Sequence, residues 1–188
     1  MLKKFKLSTL FVFLILIFSI TAVSASENTT DIQTISEYKT FTDLQNEVNK
    51  TTNELNITQD YAYNNVTDSN YTNGVIIENK TNYVINGNGH TLDGSNQVGI
   101  LVAINSNVTI NDLVFTNGKS YFSPGLFIQN SNVILNNVTF KNMESTDSGA
   151  CLVMNGNITI KNSSFINTTA PHGGAITVMS SGTEIYNC

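Results

Sequence analysis

The sequence predicts an all-β solenoid, a parallel β-helix of 25-residue coils with a short helix ahead of it, and three observations carry that prediction. The first is a repeat. Segments beginning at Asn105, Asn130 and Asn155 align without a gap, as NSNVTINDLVFTNGKSYFSPGLFIQ, NSNVILNNVTFKNMESTDSGACLVM and NGNITIKNSSFINTTAPHGGAITVM. SSGTEIYNC from Ser180 keeps the register, and KTNYVINGNGHTLDGSNQVGILVAI from Lys80 is a looser copy. A fixed period of this size marks a stack of supersecondary units. The second is alternation within the unit. The fourth position holds Tyr83, Val108, Val133 and Ile158, and the sixth holds Ile85, Ile110, Leu135, Ile160 and Ile185. Mixed residues (Val84, Thr109, Ile134, Thr159, Glu184) lie between them, which is the period of a strand. The third is what separates the apolar runs: Gly, Asn, Asp, Ser and Pro, the chemistry of turns, with no room in any copy for a helix of ten residues.

Two further columns complete the unit. Phe115, Phe140 and Phe165 share the eleventh position, and a second strand run covers Leu101 to Ala103, Leu126 to Ile128, Cys151 to Val153 and Ile176 to Val178. The sixth-position residues and the phenylalanines are therefore the expected core ladders. Asn117, Asn142 and Asn167 each follow the repeat's Phe by two residues, on the same face if the strand continues. In stacked coils their amides would bond one another in a ladder. Asn82, Asn107, Asn132 and Asn157 form a second such column; the scattered asparagines are given no role, since an Asn-rich codon usage accounts for them.

From the start of the chain, residues 1–25 read as a secretory signal peptide. A basic Met1–Lys6 precedes the apolar run Leu7–Ile20, and Val23-Ser24-Ala25 sets a cut between Ala25 and Ser26. The apolar run is short for a membrane anchor, so no span is expected after cleavage. Residues 26–39 form a polar linker. Residues 40–79 carry a capping helix, Asp43 to about Asn53, with Phe41, Leu44 and Val48 on one side and Thr40 with Asp43 as a capping box. An irregular first coil follows, with strands at Leu55–Thr58 and Val75–Ile77 around a polar loop, Tyr61–Asn73. Residues 80–188 are the regular coils, the last one incomplete, as expected for the amino-terminal piece of a longer protein.

Charge and cysteine narrow the function classes. Of 188 residues none is Arg or Trp, and without the leader six Lys face 14 Asp plus Glu, a net charge of −8. Such a chain is a poor partner for nucleic acid. Two Cys do not make a disulfide framework, and Cys151, in an apolar column, reads as an unpaired core thiol.

Several stretches resemble one family. Phe41-Thr42-Asp43-Leu44-Gln45 and Tyr83-Val84-Ile85-Asn86-Gly87-Asn88-Gly89-His90-Thr91-Leu92-Asp93-Gly94 look like the amino-terminal part of the adhesin-like surface proteins of methanogenic archaea. The segment from Phe165 to Ile176, with Gly173-Gly174-Ala175-Ile176, is similar to their later coils and to the repeats of chlamydial polymorphic membrane proteins. The resemblance covers Thr40 to Cys188. It implies a pectin-lyase-like, right-handed β-helix, archaeal, exported and displayed at the cell surface. Family members carry further carboxy-terminal coils or anchor modules, which are accordingly expected partners of these coils.

Three functions compete on this reading. A polysaccharide-active enzyme of the same fold would need paired carboxylates across a groove. Asp93, Asp112, Glu144, Asp147 and Glu184 occupy scattered coil positions instead, and His90 and His172 make a poor metal pair. No catalytic, cofactor or metal residue is therefore expected. Binding is favoured. Phe127 and Leu152 beside Met154 and Met179 would form an outward apolar contact strip, unless loops cover that face or the parity is reversed. The expected partner is a glycan or protein on the surface of another cell. The third class is a passive stalk, or a fragment of one. N-glycosylation triplets are numerous, and those at Asn65 and Asn70, in the loop, are the expected acceptors.

Overall fold

A computed structural model describes residues 38–179 and 182–188. The leader, its Ala25/Ser26 cut and nearly all of the 26–39 linker lie outside the described residues. The rest is a right-handed parallel β-solenoid of about six turns preceded by one helix.

Three parallel sheets wall the coil. Sheet 1 runs from Glu54–Asn56 through Tyr83–Asn86, Asn107–Asn111, Asn132–Asn136 and Asn157–Lys161 to Gly182–Tyr186. Sheet 2 stacks Lys39–Thr40, Tyr61–Ala62, Thr91–Asp93, Val114–Thr116, Thr139–Ser145 and Ser164–Thr169. Sheet 3 stacks Val75–Glu78, Leu101–Ile104, Leu126–Gln129, Cys151–Met154 and Ile176–Met179. Partners across the ladders are repeat mates: Ile85 faces Ile110, Ile110 faces Leu135, Leu135 faces Ile160, and Ile160 faces Ile185. Parallel pairing at constant register points every second side chain into one continuous interior. The rings of Phe115, Phe140 and Phe165 stack with centroids 4.7 and 5.0 Å apart and planes 11° and 5° from parallel. Aromatic pairs left to themselves prefer offset or edge-on contacts; here the spacing of neighbouring strands imposes the stack.

Position along the stack decides burial. Ile110, Leu135, Ile160, Phe115 and Phe140 are buried, whereas Phe165 is half-buried and Ile185 is 51% exposed. The last two share their columns but have no further strand over them among the described residues.

The corners explain the asparagines. Asn105, Asn130 and Asn155 turn the chain from sheet 3 to sheet 1; Asp112, Asn137 and Asn162 turn it to sheet 2; Asn117, Asn142 and Asn167 bend it within sheet 2. All nine have φ between +49° and +55°, a left-handed conformation that Asn and Asp adopt most readily among residues with a side chain. Asn142 and Asn167 lie inside their strands and Asn117 between two, so the left-handed residue bends the strand and shifts its parity, and Met143 rather than Asn142 is the next buried residue after Phe140. Their amides still form the expected ladder: Asn167 Nδ2 donates to Asn142 Oδ1 at 3.0 Å, Asn142 to Asn117 at 3.1 Å, and Asn117 to the Asp93 carboxylate at 3.0 Å. In the second expected column Asn157 donates to Asn132 and Asn132 to Asn107 at 2.7 and 2.9 Å. Asn82 stands outside it, at φ 52° before the strand begins. Two columns that the sequence reading did not single out are ladders as well. Asn136 bonds Asn111, Asn111 bonds Asn86 and Asn86 bonds Asn56, while Asn137 bonds Asp112 at 2.6 Å.

The helix spans Phe41–Lys50, earlier at both ends than the sequence suggested. Thr40 is the N-cap: its Oγ accepts from Asp43 N, and Asp43 accepts in return from Thr40 N, a capping box. Phe41, Leu44 and Val48 belong to the same buried cluster as Leu55, Ile57 and Ile85 of the coils. Gln45, on the same face, places its side-chain amide against the edge of sheet 3, accepting from Ile76 N at 2.7 Å and donating to Ile76 O at 2.9 Å. The open edge of that strand is closed by a single side chain.

Two local expectations are overturned. Tyr61–Asn73 is not a plain polar loop. Tyr61–Ala62 is a strand of sheet 2, the Tyr61 ring is fully buried with its hydroxyl on Glu47 at 2.7 Å, and Asp68 is buried. The Asp68 carboxylate accepts from Phe41 N, Thr42 N, Thr42 Oγ and Asn64 N, tying loop to helix start. In the Lys80 copy, Leu92 rather than His90 lies under Phe115. The turn there runs two residues longer, around Gly87 to His90, and the next turn is two shorter, so Leu101 still meets Leu126. Gly87 permits it: a Cβ there would sit 2.4 Å from Asp112 O and 2.6 Å from Leu113 Cβ.

Candidate functional site

Outward side chains of sheet 3 form the column Ile76, Val102, Phe127, Leu152, Thr177. Three parallel coils would leave such a column open to water, but the turns that lead into sheet 3 fold back over it. Thr177 Oγ1 accepts from Gly149 N at 3.0 Å and donates to the His172 carbonyl at 2.6 Å, which anchors two of those turns to the outer face. The expected contact strip is therefore interrupted: Leu152 is 1% exposed, Phe127 and Met154 are half-buried, and only Met179 is open. Loops cover half of this face.

What remains open is a groove of about 390 Å³ over the earlier coils. Ile76, Val102, Ile104 and Phe127 make its floor, and the turn 120–123 with Asn73 makes its rim. Tyr121 and Phe122, 63% and 57% exposed, meet edge to face with centroids 4.7 Å apart. Two exposed aromatic rings on a turn would ordinarily be mobile, yet this turn is held from behind. Ser145 Oγ donates to the carbonyls of Tyr121 and Phe122 at 2.8 and 3.0 Å. Ser123 Oγ donates to those of Leu126 and Ala150 at 2.8 and 3.0 Å. Both hydroxyls are on buried serines, so the next coil fixes the rings' backbone. Beside the turn, Lys119 and Glu144 neutralise one another at 2.9 Å. Ser120 Oγ is buried at the groove and has no hydrogen-bond partner.

The groove was missed in the sequence, though a signal existed. At the positions of Tyr121-Phe122 the other copies carry Asn96-Gln97, Thr146-Asp147 and Pro171-His172. A coil that replaces polar turn residues by two aromatics departs from its own repeat, and departures from a repeat mark where something other than stacking is at work.

Several of the other chemistry-bearing groups are engaged in structure. Asp93 and Asp112 head asparagine ladders, accepting from Asn117 and Asn137. His90 Nδ1 lies 3.1 Å from Asp60 Oδ1, which also accepts from Thr91 N. Cys151 is a buried free thiol, its pKa pushed well up by burial, and Cys188 is free and exposed. Asn65 and Asn70 are exposed on the loop, with Asn64 Oδ1 accepting from Val66 N between them. By contrast Asn137, Asn157 and Asn167 spend their Nδ2 amides on ladders. Among the described residues no helix is long and apolar enough to cross a membrane.

These features define a class, the right-handed parallel β-solenoid, here with an apolar groove over sheet 3. Comparison with family models, curated proteins and solved structures finds no match for this chain.

Proposed function

We propose that the chain is an exported, adhesin-like surface protein of the kind found in methanogenic archaea, binding a glycan or protein of another cell without catalysis. One observation carries the reading: the groove with its fixed, solvent-facing Tyr121 and Phe122 sits on an otherwise stacking-driven scaffold. A solenoid keeps its interior columns constant while outward residues vary, so contact chemistry can be added without disturbing the fold. The basic and apolar leader ending at Ala25 supports export. The engagement of Asp93 and Asp112 in ladders favours binding over glycoside chemistry, which needs free paired carboxylates. Asn65 and Asn70 are the acceptors this reading assigns for glycosylation, testable by the intact mass of protein from native cells.

The regular, amide-covered outer face of sheet 1 favours a second reading, a passive stalk. Beads coated with the protein separate the two. Retention on cells above that of albumin-coated beads is expected for the adhesin. A protein that stays folded on the bead and is retained by no cell surface would leave the stalk.

A further inference from the structure

We infer that the groove beside Tyr121 and Phe122 is a binding site for an uncharged sugar ring, the neutral pyranose of a glycan. The inference rests on the adhesion reading for its setting and on four features of the groove for its chemistry.

The floor and the two ring faces are apolar, so the ligand presents an apolar face. A turn whose main-chain carbonyls are held by Ser145, with Ser123 anchored beside them, has little backbone freedom to lose on binding, which favours a stacking platform. None of the residues lining the groove is charged, and the nearest ion pair, Lys119 with Glu144, satisfies itself. An anionic ligand would surrender its hydration there for nothing and meet the exposed Glu78 carboxylate beside Ile104, which disfavours uronic acids and phosphates. Asn73 and the Tyr121 phenol set polar groups at the rim, partners for a ligand with hydroxyls at its edge that a purely aliphatic or lipid occupant would leave unused. An uncharged molecule with one apolar face and a hydroxylated edge is a pyranose, whose axial C–H groups stack on aromatic rings while its hydroxyls point sideways. The groove's volume lies within the range of small-ligand sites, about 300–1,000 Å³. By contrast, the polar hollow of about 510 Å³ along the corner between sheets 3 and 1 is lined by Asn132 and Asn157, whose amides already bond one another.

The test is saturation-transfer NMR and calorimetry on the protein with a panel of neutral trisaccharides (glucose-, mannose-, xylose- and N-acetylglucosamine-based), plus a uronic-acid trisaccharide. At least one neutral sugar is expected to bind, and the charged one to bind more weakly. The double variant Y121A/F122A, both rings exposed and therefore neutral to folding, should weaken binding by roughly tenfold or more. Asn73→Ala, at an exposed rim position, should weaken it by about threefold with the fold unchanged. Absence of binding to every neutral sugar overturns the inference. So does binding that Y121A/F122A leaves intact, or displacement of a bound sugar by an apolar peptide but not by a second sugar. Bead retention distinguishes this failure from that of adhesion itself: cells that hold wild type and Y121A/F122A equally leave the adhesin standing and remove the groove.

Discussion

The first coil and the last contain the same columns and differ in nearly everything else. Leu55 and Ile185 end the same interior column, yet one is 3% exposed and the other 51%. At the first coil, residues that belong to no repeat close the stack. Phe41, Leu44 and Val48 cover its apolar end, Gln45 pairs with the strand edge at Ile76, and Asp68 ties the loop to the helix. At the last described coil the interior column ends with no strand over it among the described residues. The repeat specifies register, whereas burial comes from what lies above and below, so stability in a solenoid belongs to neighbours more than to residues.

Substitutions at five positions would break or sharpen that contrast, each read by urea unfolding. The largest effect is expected within a single column: Ile110→Ala should cost about 2–5 kcal/mol and Ile185→Ala less than about 1 kcal/mol, because only the first opens a cavity. Equal costs would mean the last coil is buried after all.

Next comes Asp68→Ala, which leaves the amides of Phe41 and Thr42 without their acceptor and should cost about 2–3 kcal/mol. Burial alone would raise the Asp68 carboxyl, but hydrogen bonds from Asn64, Thr42 and Phe41 outweigh it and hold the pKa below its ordinary value. A group depressed in the folded state contributes stability above its unfolded pKa, and that contribution is lost as pH falls through the folded value. Wild type should therefore lose its advantage over Asp68→Asn as pH drops below about 4, and a constant gap would sink the assignment.

Gln45→Ala should cost about 1–2 kcal/mol, since it bares one donor and one acceptor of a partly covered edge. Faster hydrogen exchange at Ile76 N–H, with Ile128 N–H unchanged, would localise the effect to the capped end.

The smallest effect separates two jobs of one asparagine. Asn142→Gly keeps the left-handed corner and loses only the amide ladder, about 0.5–1 kcal/mol; Asn142→Ala loses both and should cost about 1 kcal/mol more.

Much of this architecture was readable because a repeat states its own alignment. The strand columns, the phenylalanine stack, the Thr40–Asp43 box and the Asn117 ladder all follow from spacing. Other features were not readable, for physical reasons. A left-handed φ leaves no mark in a list of asparagines, so the bend at Asn117, Asn142 and Asn167 could not be read from them. The two-residue lengthening at Gly87 to His90 and its compensation downstream conserve total length, so an ungapped alignment put His90 where Leu92 belongs. Tyr61 and Asp68 lie in a polar stretch whose meaning depends on a helix 20 residues earlier. The burial of Leu152 depends on turns anchored by Thr177 one coil away, and the groove depends on a departure at Tyr121-Phe122 that only comparison among copies reveals.

The recurrent left-handed corners set a rule for how such a chain can change. A single added residue within a strand would turn its side chains inside out, and a shift in one turn must be repaid in the next, as the first regular copy does. Losing residues 130–154 whole, however, would join Gln129 to Asn155 and set Phe115 against Phe165, with Asn117 against Asn167. Evolution of this molecule is thus free to count in whole coils, lengthening or shortening the rod while its cross-section stays the same.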